Sequence, residues 1–136
     1  MKFTPYLNFN GTCKEAFAFY AKLMGGEVTF MQTFGESPMR EHMPPVFHDH
    51  VMHATLSVGD ASFMASDAPG DRYNAPQGTY ISLSLSDPDE AERIYAGLAE
   101  GAKIEMPIQA TFWAAKFAML TDRFGIPWMI NCEVAA

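Results

Sequence analysis

The sequence predicts an α+β fold made of two tandem copies of one β-α-β-β-β unit. Three observations predict it. Two helical segments match position for position, each is preceded by a strand of alternating character, and each is followed by a strand and then a hairpin.

The helices carry the repeat most clearly. Glu15-Ala16-Phe17-Ala18-Phe19-Tyr20-Ala21-Lys22-Leu23 aligns with Glu90-Ala91-Glu92-Arg93-Ile94-Tyr95-Ala96-Gly97-Leu98, and Gly26 aligns with Gly101. Glu, Ala, Tyr, Ala and Leu recur at matched positions. Ala16, Phe19, Tyr20 and Leu23 have the i, i+3, i+4, i+7 spacing of one helix face, as do Ala91, Ile94, Tyr95 and Leu98. Thr12 with Glu15 predicts a capping box, each side chain serving a free backbone N–H. Asp87 is the matching cap, with Pro88 at the first helical position, where no N–H is missed. Glycines at 25–26 and 101 predict left-handed stops.

The strands follow in order. Thr4 to Phe9 and Tyr80 to Leu85 alternate. Leu7 and Phe9, and Ile81, Leu83 and Leu85, form the face under the helix. Thr4, Tyr6 and Asn8, and Tyr80, Ser82 and Ser84, face the other way. A core does not select Ser and Asn, so that second face borders solvent or a wet cavity. Strands are expected at about 27–34 and 103–110. Hairpins follow, His53–Val58 with Ala61–Ser66 about a Gly59-Asp60 turn, and Lys116–Thr121 with Ile126–Cys132 about Asp122-Arg123-Phe124-Gly125. Phe63-Met64 aligns with Trp128-Met129. The chain reads as a single domain over 1–136, with module one at about 1–66, a linker at 67–78 and module two at about 79–136. Residues 35–50 form a long loop rich in Pro, Met and His.

Bulk properties exclude several functions. The 136 residues carry nine Lys and Arg against sixteen Asp and Glu, a net charge of −7. An acidic chain without a basic stripe is a poor nucleic-acid binder. No apolar run is long enough to span a bilayer, and Met1–Pro5 lacks the apolar core of a secretory signal. Two cysteines, Cys13 and Cys132, suggest no disulfide framework. A cytoplasmic protein is expected.

Several local words are more specific. Pro5-Tyr6-Leu7-Asn8-Phe9-Asn10-Gly11, the helix from Glu15 to Tyr20, His53-Ala54 with Met64–Asp67, Lys103–Met106, Thr111-Phe112-Trp113 and Asp122–Asn131 resemble the PhnB-like branch of the vicinal-oxygen-chelate superfamily, which includes glyoxalase I, extradiol dioxygenases and bleomycin-resistance proteins. The match covers nearly the whole chain. It implies a curled eight-stranded mixed sheet around a cavity and commonly a homodimer. The branch is often labelled glyoxalase-like or after a 3-demethylubiquinone methyltransferase. The chain has no Gly-rich strand-to-helix loop of the kind that holds a nucleotide-like methyl donor.

Metal-dependent members hold a divalent ion on the cavity face of the first and last strand of each module. Strand phase puts those positions near Thr4, Met64, Tyr80 and Met129, and none is a usual ligand of a hard cation. No metal and no cofactor are expected there. The tract His48-Asp49-His50-Val51-Met52-His53 is the other place where a metal is conceivable, against the plainer reading of a loop entering a strand. His53 shares the cavity face with Thr55 and is the best candidate for an acid, a base or a hydrogen-bond partner. The expected ligand-binding set is His53, Thr55, Met64, Tyr80, Phe112, Trp113 and Met129. Trp128 reads as core, and the methionines as cavity lining or core filler. Cys13 at a helix start is a weak nucleophile candidate through a lowered pKa, and Asp67 reads as a turn cap.

The leading expectation is a protein that encloses a small apolar or aromatic molecule without the inherited metal. Two alternatives stand beside it. One is a divalent-metal lyase or dioxygenase with a displaced site; the other is a non-catalytic homodimeric interaction module.

Overall fold

The computed structural model describes residues 1–135. Eight strands and two helices run in the expected order: β1 (Tyr6–Phe9), α1 (Cys13–Met24), β2 (Glu27–Thr33), β3 (Val51–Val58), β4 (Ala61–Asp67), β5 (Ile81–Leu85), α2 (Pro88–Ala99), β6 (Lys103–Gln109), β7 (Ala114–Thr121) and β8 (Pro127–Glu133). The long loop after β2 contains short 3-10 turns at Arg40–His42 and Pro45–Phe47. No helix is long and apolar enough to cross a membrane among the described residues.

The chain divides into two compact units, Met1–Asn74 and a second beginning at Ala75. Each holds a mixed four-stranded sheet, in the orders β1-β4-β3-β2 and β5-β8-β7-β6. In each, the first strand runs parallel to the last, and the remaining pairs are antiparallel. The repeat extends to register. Tyr6 lies opposite Met64, and Ser82 lies opposite Met129. The ladder between β2 and β3 slips at Thr29, between Val28 and Phe30, and that between β6 and β7 slips at Glu105, between Ile104 and Met106. A bulge at the matching place in both units supports duplication more strongly than strand count alone, because bulges disturb pairing and re-aim side chains at defined places.

The helices start differently. In α2, Asp87 caps as expected, its Oδ1 accepting the Asp89 N–H at 3.0 Å, with Pro88 next. In α1, the capping box does not form: Thr12 makes no side-chain cap bond. A side-chain acceptor for another N–H of the first turn comes from β4. The Cys13 N–H donates to Asp67 Oδ1 at 3.0 Å, and the Val51 N–H donates to Asp67 Oδ2 at 2.8 Å. Asp67 is therefore no turn cap. It is a buried carboxylate tying the start of α1 to the start of β3, and a carboxylate near a helix N-terminus also meets the favourable end of the helix dipole. α1 ends at Gly25, in the left-handed region at φ 68°. At Gly26 a Cβ would meet the Ser57 carbonyl oxygen at 2.6 Å, so only glycine lets the chain pass this close to β3.

The buried face of α1 is also turned from the expected one. Cys13, Ala16, Phe17 and Tyr20 are buried, while Phe19 and Leu23 are half-buried. Phe17 meets Phe63 edge-on at 5.4 Å, and Phe9 and Tyr20 complete the cluster. Burying each such ring contributes about 1.5–3 kcal/mol. In α2, Ala91, Ile94 and Leu98 are buried as expected. The second core includes Leu120, Ile130 and Trp128, the last 1% exposed. Trp128 Nε1 donates to Asp122 Oδ2 at 2.9 Å, while Asp122 Oδ1 accepts the Phe124 and Ile126 N–H groups at 2.9 and 3.0 Å. One buried carboxylate thus closes the β7–β8 turn and satisfies the indole.

Candidate functional site

In a sheet, cross-strand partners share a face. In the first unit the register places Tyr6 opposite Met64, Met64 opposite Thr55, and Thr55 opposite Phe30. These four residues form a row across all four strands, on the face away from buried Leu7, Leu56 and Ala65. His53, opposite Gln32, stands beside that row. Its ring centroid is 5.8 Å from Tyr6 and 5.8 Å from Phe30. Its Nδ1 is 3.3 Å from the Tyr6 hydroxyl and its Nε2 is 3.5 Å from Thr55 Oγ1, with the donor in each pair set by the imidazole tautomer. Tyr6 and Phe30 remain 49% and 48% exposed, so the rings flanking the imidazole present free surface. Ser66 Oγ donates to Asn8 Oδ1 at 3.2 Å and adds a polar margin.

The second unit fills the same places differently. Its row is Ser82, Met129, Met119 and Met106. Phe117, opposite Asn131, takes the place of His53. Trp113 packs edge-on against Phe117 at 5.1 Å, and Phe112 against Trp113 at 4.8 Å. Phe117 is buried, whereas Phe112 is 93% exposed. Tyr80 lies before β5 and lines a cleft of about 210 Å³. Its hydroxyl donates to Glu105 Oε2 at 2.6 Å, and Thr121 Oγ1 donates to Glu105 Oε1 at 3.5 Å. The hydrogen bond to the Glu105 carboxylate pushes the Tyr80 pKa above its ordinary value, since losing the proton would break the bond and set two anions together.

Of the expected site residues, His53, Thr55 and Met64 come together on the first sheet. Tyr80, Met129, and Phe112 with Trp113 occupy three separate settings in the second unit. Sequence reasoning left out Phe30 and Glu105. Both adjoin a bulge, where alternation breaks and strand phase no longer tells which way a side chain faces. Tyr6 was legible as a member of the open face, though not as the partner of His53.

The histidines of the 48–53 tract go to different places. His48 Nε2 lies 3.0 and 2.9 Å from the carbonyl oxygens of Arg40 and Met43, closing the loop. His50 packs edge-on against Phe47 at 5.4 Å, with its Nδ1 buried and without a hydrogen-bond partner among the described residues. Only His53 reaches the open face. Among the described residues, no three His, Cys, Asp or Glu side chains gather to hold a metal. Thr4, Met64, Tyr80 and Met129 supply hydroxyls and thioethers, which do not suit a hard divalent ion. The residues present do not fit the ion that the superfamily implies. Cys13 is fully buried, and burial, followed by the Asp67 charge, raises its thiol pKa rather than lowering it.

Comparisons with known proteins agree with this architecture. The family model described as 3-demethylubiquinone-9 3-methyltransferase matches residues 1–131. Protein YjdN of Escherichia coli K12 is 37% identical, over 96% of this chain and 95% of its own. The crystal structure of PA1353 from Pseudomonas aeruginosa is 47% identical, with a TM-score of 0.89 over 98% of each chain. A fosfomycin resistance protein, FosX from Listeria monocytogenes, shares the fold at a TM-score of 0.65 and 10% identity, over 96% of this chain and 90% of its own. The matched family model and the 37% relative lead to one conclusion: this chain belongs to the family described as 3-demethylubiquinone-9 3-methyltransferase, on the fold it shares with FosX and in line with the PhnB-like resemblance of its sequence.

Proposed function

We propose that the protein binds a small planar, apolar or aromatic molecule on the open face of the first sheet, without a metal. The observation that carries this reading is the His53 imidazole set between two half-exposed rings, Tyr6 and Phe30. Aromatic faces bind planar apolar ligands by area and by offset or edge contact, and a few placed polar groups orient them. Thr55, Ser66 and Asn8 are such groups, and Met64 gives an adaptable floor. Methyl transfer has less support, because the turns into α1 and α2 lack a glycine-rich phosphate loop. A homodimer in the cytoplasm is part of the same reading, following the superfamily resemblance.

The test is a titration of the whole chain with indole and 2-naphthol, followed by NMR at the Met64 methyl and the His53 ring. Saturable shifts at both groups are expected. Phe30→Ser should weaken binding about tenfold, the loss expected when ring burial is removed. Absence of saturable shifts, or binding that requires an added divalent cation, would overturn the proposal. Light scattering of the same sample tests the dimer.

A further inference from the structure

We infer that the second unit carries a separate site for a small zwitterion, of the free α-amino-acid class, in the cleft where Tyr80, Glu105, Thr121 and Lys103 converge. The site is independent of the aromatic face on the first sheet.

Size, charge and orientation each bear on the occupant. The cleft volume of about 210 Å³ lies below the range of roughly 300–1,000 Å³ typical of drug-sized ligands, so its occupant is small. Its walls are polar. Residues 76–79 line one side, Gln77 and Thr79 among them, while β6 and β7 bring Lys103, Glu105 and Thr121. The lining thus includes one acidic residue, Glu105, and one basic residue, Lys103. They do not neutralise each other: among the described residues, the ion pairs are Arg93 with Glu90 and Lys116 with Glu92. Two residues of opposite charge that line one small cleft and do not pair with each other complement a ligand carrying both signs. A simple amine meets Glu105 but is repelled by Lys103, a simple carboxylate meets the reverse, and a neutral polyol uses neither charge.

The carboxylate is also held ready. Tyr80 fixes Oε2 with a short bond, while Oε1 has only the long 3.5 Å contact from Thr121. An ionised carboxylate offers about four acceptor positions, so capacity for an ammonium group remains. Glu105 sits at the bulge and lines the cleft together with Lys103, two residues earlier on the same strand. At the matching bulge the first unit has Thr29, whose hydroxyl is spent on the Thr55 carbonyl at 3.5 Å. The duplicated backbone irregularity presents a carboxylate in one copy alone. Glu105 and Lys103 are both exposed, so a ligand reaches them without rearrangement.

The experiment is a ¹⁵N-correlation titration of the whole chain with glycine and with serine, against ethylamine, acetate and glycerol. Saturable shifts are expected at the amides of Tyr80, Lys103, Glu105 and Thr121 with the amino acids, and at least about tenfold weaker responses with the three controls. Glu105→Gln and Lys103→Met should each weaken amino-acid binding by about tenfold or more, with spectral dispersion retained, as expected for loss of one charged partner. The inference is overturned by absence of saturable shifts, by ethylamine or acetate matching the amino acids, or by unchanged binding in both variants.

Discussion

The two units share a backbone and differ in what they place on it. Across the first sheet run Tyr6, Met64, Thr55 and Phe30, with His53 beside them; across the second run Ser82, Met129, Met119 and Met106, with Phe117 beside them. One face is aromatic and polar around an imidazole and stays open. The other is thioether-rich, and Trp113 covers its phenylalanine. Register, bulges and helix lengths are fixed by backbone hydrogen bonding and by the buried face, which tolerates little change. The other face is less constrained where it stays open and can diverge, so duplication of a fold need not duplicate a site.

The same contrast appears in the buried carboxylates, and here the largest effects are expected. Asp67 joins a helix to a distant strand, whereas Asp122 closes a turn on its own neighbourhood. Asp122→Ala removes the acceptor of three buried donors and should destabilise the protein by about 3–5 kcal/mol; Asp67→Ala removes the acceptor of two and should cost about 2–4 kcal/mol. Urea unfolding midpoints measure both. A negligible loss at Asp67 would break the view that α1 is tied from outside its own sequence.

Exchanging the face residues is the next largest test. Phe117→His puts a polar ring into a buried place under Trp113 and should cost about 2–3 kcal/mol, while His53→Phe, on an open face, should change stability by no more than about 0.5 kcal/mol. Equal losses in the same unfolding experiment would mean that the faces are not differentiated as described. Smaller still is the difference between the caps. Asp87→Ala should cost about 1 kcal/mol, and Thr12→Ala should stay within about 0.5 kcal/mol, because Thr12 caps nothing.

The smallest effect is a titration. Tyr80 should ionise above its ordinary value of 10.0, because its hydroxyl donates to Glu105. The raised pKa in the folded state means that the bond helps the fold at all pH below the ordinary tyrosine value. That help is lost as the pH rises through the higher, folded value. The difference in phenolate absorbance between the protein and Tyr80→Phe isolates this group from the other four tyrosines of the five in the chain. Glu105→Gln should return Tyr80 toward 10.0; an unmoved titration would show that the pair does not persist in solution.

Much of the fold was legible because its signals are local. Alternation in Tyr6–Phe9, helical spacing from Ala91 to Leu98, and the Asp87-Pro88 start each report on neighbours in sequence. The alignment of Met64 with Met129 was legible because duplication preserved it. Part of the candidate site was legible as well: His53, Thr55 and Met64 follow from strand phase. Phe30 and Glu105 do not, because each adjoins a one-residue bulge that reverses phase and leaves no mark in composition.

The sequence by itself determined the element order, the repeat, the family resemblance and the unsuitability of Thr4, Met64, Tyr80 and Met129 as ligands for a hard cation. Tertiary structure alone decided which acceptor caps α1, how that helix is turned, and which side chains meet His53 and Tyr80. The physical reason is range. Capping boxes and periodicity act over three or four residues, but Asp67 reaches Cys13 across 54 positions and Tyr6 reaches His53 across 47. A hydrogen bond forms with whichever partner the packed chain brings nearest: Thr12 and Glu15 are spaced for a capping box, yet the side-chain acceptor at the start of α1 is a carboxylate from a strand far along the chain.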